Sequence, residues 1–129
     1  IVGGLIAVIV IHYIFSQEIF QVSKNIRGEW PLFVSEIIAT AGLVLTILFI
    51  KQHDEKSVAL GVALFITAGY WFTSSTSFAN PAVTIARIYT DTFTGIAPIS
   101  FKYFILGQIT GCVLANGIFN FFKNNQNRS

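Results

Sequence analysis

The chain has 129 residues and a formal net charge of +2, from eight Lys and Arg against six Asp and Glu. Hydrophobic residues make up 53% of it and charged residues 11%, under half the ~25% of a typical soluble domain. The mean hydropathy is +0.68. This balance excludes a disordered chain, a soluble fold with enough charge to stay dispersed and a phosphate-binding surface. An integral membrane protein remains.

A helix crossing a hydrocarbon core of ~30 Å needs about 20 mostly apolar residues, and four segments approach that length. The first, Ile1 to Phe15, is uncharged. It has no basic run before it and no small-residue cleavage site after it, so it does not read as a signal peptide. The chain has no Met and opens inside this run, so the expectation is part of a longer protein. Ser16–Pro31 is a polar connection with Gln17, Glu18, Lys24, Arg27 and Glu29. It closes on Trp30-Pro31, an aromatic at headgroup level followed by a helix-start proline. Leu32 to Ile50 is a second span carrying one charge, Glu36. After the charged turn Lys51–Lys56, Ser57 to about Thr73 is a third span. Tyr103 to Phe122 is the last, followed by the polar tail Lys123–Ser129.

From Ser57 to Ala86 there is no charged residue, a run too long for one span. Its middle, Thr73-Ser74-Ser75-Thr76-Ser77-Phe78-Ala79-Asn80-Pro81-Ala82-Val83, is polar but uncharged. Irregular backbone at membrane depth is tolerated only where protein buries it or it lines a water-filled cavity, so residues 73–90 are the candidate site. Asn is a favoured N-cap and Pro a favoured first helical residue. Asn80-Pro81-Ala82 therefore predicts a helix that runs on to Tyr89 and is ended by Asp91 and Gly95. Ten residues span only ~15 Å, half a membrane. The positive end of such a half-helix lies near the midplane. If the Asn80 side-chain oxygen caps it, the amide NH2 stays free to donate into a lumen. The plain alternative is a turn at an ordinary helix start.

On these residues the chain resembles the major intrinsic protein family, the aquaporins and aquaglyceroporins. The resemblance is carried by Asn80-Pro81-Ala82 with Thr76-Ser77-Phe78-Ala79 before it and Asp91-Thr92-Phe93-Thr94-Gly95-Ile96-Ala97-Pro98 after it. Glu36-x-x-x-Thr40 and Gly107-Gln108-x-x-Gly111 add to it. It implies an all-α membrane bundle, here about four membrane helices plus one re-entrant half-helix at 80–89. Residues 1–129 would be the end of helix three, helices four to six and the second half-helix, with the N-terminal half missing. The implied function is a channel for gradient-driven passage of water or small neutral solutes such as glycerol, urea and metalloid acids. A non-conducting half-channel that acts only by association with a partner is the alternative.

The resemblance also implies roles by position. Asn80 is the pore donor, with Pro81 and Ala82 shaping the helix start. Glu36 is a buried carboxylate holding the re-entrant loop, against the alternative that it snorkels to the interface. Ala68 and Ser77 stand at two positions of the narrow filter, and a small gap would move the first to Gly69 or Tyr70. The residue after the tripeptide, usually Arg, is Val83, which implies a wider and less polar constriction. Arg87, four residues on along the same helix face, is a possible charge at the outer mouth. Its alternative is to bond the last carbonyls of the half-helix and pair with Asp91.

No catalytic or metal site is expected. His12 stands alone in a span, and the adjacent His53-Asp54-Glu55 point in different directions with no further ligand at metal spacing. Cys112, the one cysteine, reads as a small apolar filler. No cofactor and no nucleic acid are expected. The expected partners are membrane lipid, water, small neutral solutes and three further copies in a homotetramer, in the plasma membrane. Lys51, Lys56, Lys123 and Arg128 on one side against Lys24, Arg27 and Lys102 on the other do not decide orientation. The resemblance puts the tail and the 51–56 turn in the cytoplasm.

Overall fold

The structure is a computed structural model that describes residues 1–126; Arg128, counted above in the charge balance, lies outside the described residues. Five α-helices follow in order: α1 Val2–Ile14, α2 Trp30–His53, α3 Val58–Phe72, α4 Pro81–Ile88 and α5 Phe101–Gln126. There is no strand among the described residues. α2, with 24 residues, and α5 together with the 3-10 turn before it (29 residues) are long and apolar enough to cross a membrane. α1 and α3 are shorter than the spans expected from hydropathy, with 13 and 15 residues. At ~1.5 Å per residue neither covers ~30 Å.

The partition of side chains is the reverse of a soluble core. The buried set is dominated by polar groups, among them His12, Glu36, Thr84 and Gln108, while Leu64, Trp71, Leu106 and Phe121 face outward. A polar group gains nothing from facing hydrocarbon and must find its partner inside. Trp30 is exposed at the start of α2, as suits an interfacial anchor.

α2 and α5 form the central pair, and glycines set how close they come. A Cβ at Gly107 would lie 2.8 Å from the Phe33 carbonyl oxygen, and one at Gly111 2.6 Å from that of Ile37. Small residues at such spacing let two backbones approach in a membrane. α3 folds back on α2 after the turn at residues 54–57, where Asp54 accepts from the Lys56 N–H at 3.0 Å and from the Ser57 hydroxyl. The ring of Phe65 packs over Gly42. A small apolar cluster of Phe78, Ile96 and Phe104 joins the loop before α4 to α5, with Val83 and Ile88 against it.

The connection between α1 and α2 is tied strand-like to the segment after α4. Ser23 N–H donates to the Ile88 carbonyl at 2.8 Å and Ala97 N–H to that of Asn25 at 2.7 Å. Between them Lys24 N–H donates to Asp91 Oδ1 at 2.9 Å. α4 ends at Ile88, short of Asp91 and Gly95, because Ser23 takes the Ile88 carbonyl there and Ile96 N–H takes that of Arg87.

Two outcomes test this packing. Gly111→Val is expected to lower stability in detergent by about 1–3 kcal/mol through overpacking. Gly117→Ala is expected to be neutral or slightly stabilising, since nothing lies within 4 Å of its added Cβ and Gly is a poor helix former. Thermal unfolding of the two variants reads both. The Ser57 hydroxyl and the Lys56 N–H hold the Asp54 carboxyl below the ordinary carboxylate range. A lowered folded-state value stabilises above the unfolded value, and this is lost as pH falls through the folded one. Protection of the Lys56 amide, its exchange relative to the intrinsic rate at each pH, is therefore expected to fall only in acid.

Candidate functional site

The segment from Thr73 to Asn80 is irregular, and three of its non-glycine residues have left-handed backbone: Thr76 (φ 63°), Ser77 (φ 50°) and Ala79 (φ 46°). Such residues each cost on the order of 1–3 kcal/mol and persist only where surroundings impose them. Here α2 does the imposing. Ser35 Oγ accepts from the Ser75 N–H at 3.1 Å and donates to Ser75 Oγ at 3.2 Å. One residue on, Glu36 accepts from two consecutive backbone donors, Phe78 N–H on Oε1 and Ala79 N–H on Oε2, each at 3.0 Å. Its exposure is 0%, so the snorkelling alternative does not hold. Both carboxylate oxygens accept from the loop.

A chain of hydrogen bonds runs on to the helix start. Gln108 on α5 donates from Nε2 to Glu36 Oε2 and to Thr84 Oγ1, both at 2.8 Å. Thr84 donates in turn to the Asn80 carbonyl, from its hydroxyl at 3.1 Å and from its N–H at 3.0 Å. Asn80 Oδ1 accepts from the Ala82 N–H at 2.8 Å and caps α4. That bond fixes which end of the amide is oxygen. The NH2 end has no partner among the described residues, and Asn80 is exposed. α4 thus opens with a free amide donor and with the positive end of its dipole.

The remaining residues singled out from sequence fall in three places. Ser77 is buried with its hydroxyl unpartnered. It lies against Gly69, where an added Cβ would come within 2.6 Å of Ser77 Oγ. Ala68, by contrast, is exposed; the structure puts Gly69, the neighbouring alternative, against Ser77. Val83 and Arg87 face a cavity of about 420 Å³ between α4 and α1, bounded on the α1 side by Gly4, Val8 and His12. Arg87 makes no ion pair with Asp91. Its Nη1 donates to Thr94 Oγ1, and Asp91 is occupied by the N–H of Lys24, because the connection before α2 runs alongside.

Several residues of this site were not singled out by their sequence context. His12, alone as an ionisable group in its span, is 1% exposed and has partners of another kind. Its Nδ1 donates to the Ile19 carbonyl at 3.1 Å, which leaves Nε2 facing Thr90 Oγ1 at 3.0 Å. Thr84 and Ser35 were missed as well. The available signal was a polar side chain within an apolar helix, which must find an internal partner.

Comparison with curated proteins gives a match of 39% identity over 115 residues to Aquaglyceroporin AqpS of Rhizobium meliloti (strain 1021). The match covers 89% of this chain and 49% of the relative, its C-terminal half. The chain is related to the major intrinsic protein family. It spans about half the length of the relative it matches. No family model matches it, and no solved structure does. With the family relationship, the outward apolar surface and the two long apolar helices identify an integral, all-helical membrane protein. Glu36, Gln108 and Thr84 form one buried network that reaches the backbone of the segment before α4.

Glu36→Gln removes one acceptor and turns an NH2 toward a backbone N–H. It is expected to cost about 1–3 kcal/mol for the buried donor left without a partner, read as a lower unfolding temperature in detergent. An unchanged temperature would mean that the loop holds itself.

Proposed function

We propose that this chain is the C-terminal half of a membrane channel that passes water and small neutral solutes, among them glycerol, urea and undissociated metalloid acids, down their gradients. Residues 1–129 then supply the end of the third helix, helices four to six and the second, re-entrant half-helix at 80–89. An N-terminal half completes the pore. The observation that carries this reading is the free Asn80 amide at the start of an eight-residue helix, held by the bonds that converge from Glu36, Gln108 and Thr84. A fixed donor of this kind exchanges hydrogen bonds with a passing hydroxyl or water, while the helix dipole opposes cations. The relationship to an aquaglyceroporin supports the same reading.

Selection falls to a constriction formed by Ser77 and Val83 with the end of α3, through Ala68 or its neighbour Gly69, which lies against Ser77, and with Arg87 as a charge at the outer mouth. A Val in place of a five-donor guanidinium leaves a wider, less polar opening, which favours solutes larger than water. The channel is a homotetramer in the plasma membrane. It performs no chemistry and uses no cofactor; binding stays weak enough for release.

Liposomes containing the protein expressed from its complete coding sequence are expected to shrink and reswell with glycerol and urea as well as water. Passage of water with exclusion of glycerol would overturn the wide filter. Val83→Arg is expected to cut glycerol flux relative to water by roughly tenfold, the effect of ~1.4 kcal/mol on a barrier. Arg87→Ala is expected to change the ranking of solutes; an unchanged ranking would remove Arg87 from the mouth. No flux of any solute from the complete protein would favour the non-conducting alternative.

A further inference from the structure

Arg27 lies in the connection before α2, and the constriction described above makes no use of it. Its backbone N–H donates to Ser100 Oγ at 2.9 Å, which pins it beside the start of α5. From there the side chain turns into the protein. Nη2 donates to the Ser74 carbonyl at 3.1 Å. Cζ lies 5.7 Å from the centre of the Phe78 ring and 5.9 Å from that of Phe104. Nη1 is buried with no hydrogen-bond partner. Burial lowers the guanidinium pKa, Glu36 opposes that fall, and Arg87 adds to it.

Arg87 approaches the same Phe78 ring from α4, with Cζ 6.0 Å from its centre. Two guanidinium groups from distant parts of the chain thus meet at one ring, two positions before Asn80. The acidic group that answers them is Glu36, whose oxygens are already taken by Phe78 N–H, Ala79 N–H and Gln108. Asp91 keeps its charge while accepting from the Lys24 N–H, and it forms no ion pair with either arginine. At the Phe78 ring the two positive charges stand against that of Glu36, and a positive excess remains beside the half-buried Arg27.

We propose that Arg27, together with Arg87, supplies the barrier to cations at the outer mouth that the position after Ala82, occupied here by Val83, does not supply. This rests on the channel reading given above. Arg27 acts through the field of its charge and through its hold on Ser74 and Phe78, which keeps that charge beside the loop; it does not touch the solute. Arg suits the place better than Lys because a planar guanidinium bonds a carbonyl and stacks on an aromatic face together.

The test uses the channel from its complete coding sequence in liposomes, reading Na⁺ leak and glycerol flux side by side. Arg27→Gln keeps a donor and loses the charge. It is expected to raise the ratio of Na⁺ leak to glycerol flux about tenfold, the effect of a unit charge roughly 10 Å away at an effective dielectric near 20. Arg27→Lys is expected to keep most of the exclusion, and Val83→Arg in the Arg27→Gln background to restore it. Arg87→Gln, which leaves the Ser74 bond in place, moves the ratio in the same direction and serves if Arg27→Gln does not assemble. A ratio unchanged in both single variants, in a channel whose unsubstituted form conducts glycerol, overturns this proposal alone. No glycerol flux in the unsubstituted protein overturns the channel reading and this proposal with it.

Discussion

Two carboxylate oxygens, those of Glu36, receive the backbone of the segment before α4, and the arrangement of the rest of the site depends on them. A buried ionised carboxylate is costly unless donors surround it. An irregular backbone inside apolar surroundings is costly unless acceptors surround it. Each supplies what the other lacks. The left-handed turns at Thr76, Ser77 and Ala79 accompany a backbone whose consecutive N–H groups, those of Phe78 and Ala79, meet one side chain. Gln108 and Thr84 then carry the same chain of bonds to the Asn80 carbonyl. The direction in which α4 begins is thereby coupled to a side chain on α2 and another on α5.

That coupling works only because α2 and α5 are close. Gly107 and Gly111 face the backbone of α2 at distances that no side chain would fit, and Gln108, adjacent to the first of them, is carried within reach of Glu36. In hydrocarbon, apolar surface gives helices little reason to associate. The central pair is instead joined by close backbone approach and by polar contacts. The outward surface is rich in Leu, Ile, Phe and Trp.

The end of the molecule formed by residues 16–29 and 88–97 is built differently. There the connection before α2 is stitched to residues 88–97 by backbone bonds, and His12, Lys24 and Arg27 each reach a partner far along the chain. These contacts explain the early end of α4 and the partner of Arg87. A helix pattern read by itself favours Asp91 for that arginine, four residues on and of opposite charge. The structure assigns Asp91 to a backbone N–H and Arg87 to Thr94, because a passing segment competes for the carboxylate.

Much was legible in the sequence because it depends on local chemistry. The membrane class follows from apolar content, the helices from runs of apolar residues, and the start of α4 from an N-cap Asn before Pro. In each case the physics acts within a few residues of chain. What only the tertiary structure decided depends on encounters between distant segments. Hydropathy cannot see that Gly69 rather than Ala68 meets Ser77, or that His12 is bonded to Thr90. Nor does a charge in a polar connection announce that it folds inward, as Arg27 does over Phe78. Glu36 lies between the two cases: a lone charge in an apolar span signals that a partner exists, but only the folded backbone shows that its partners are the N–H groups of Phe78 and Ala79.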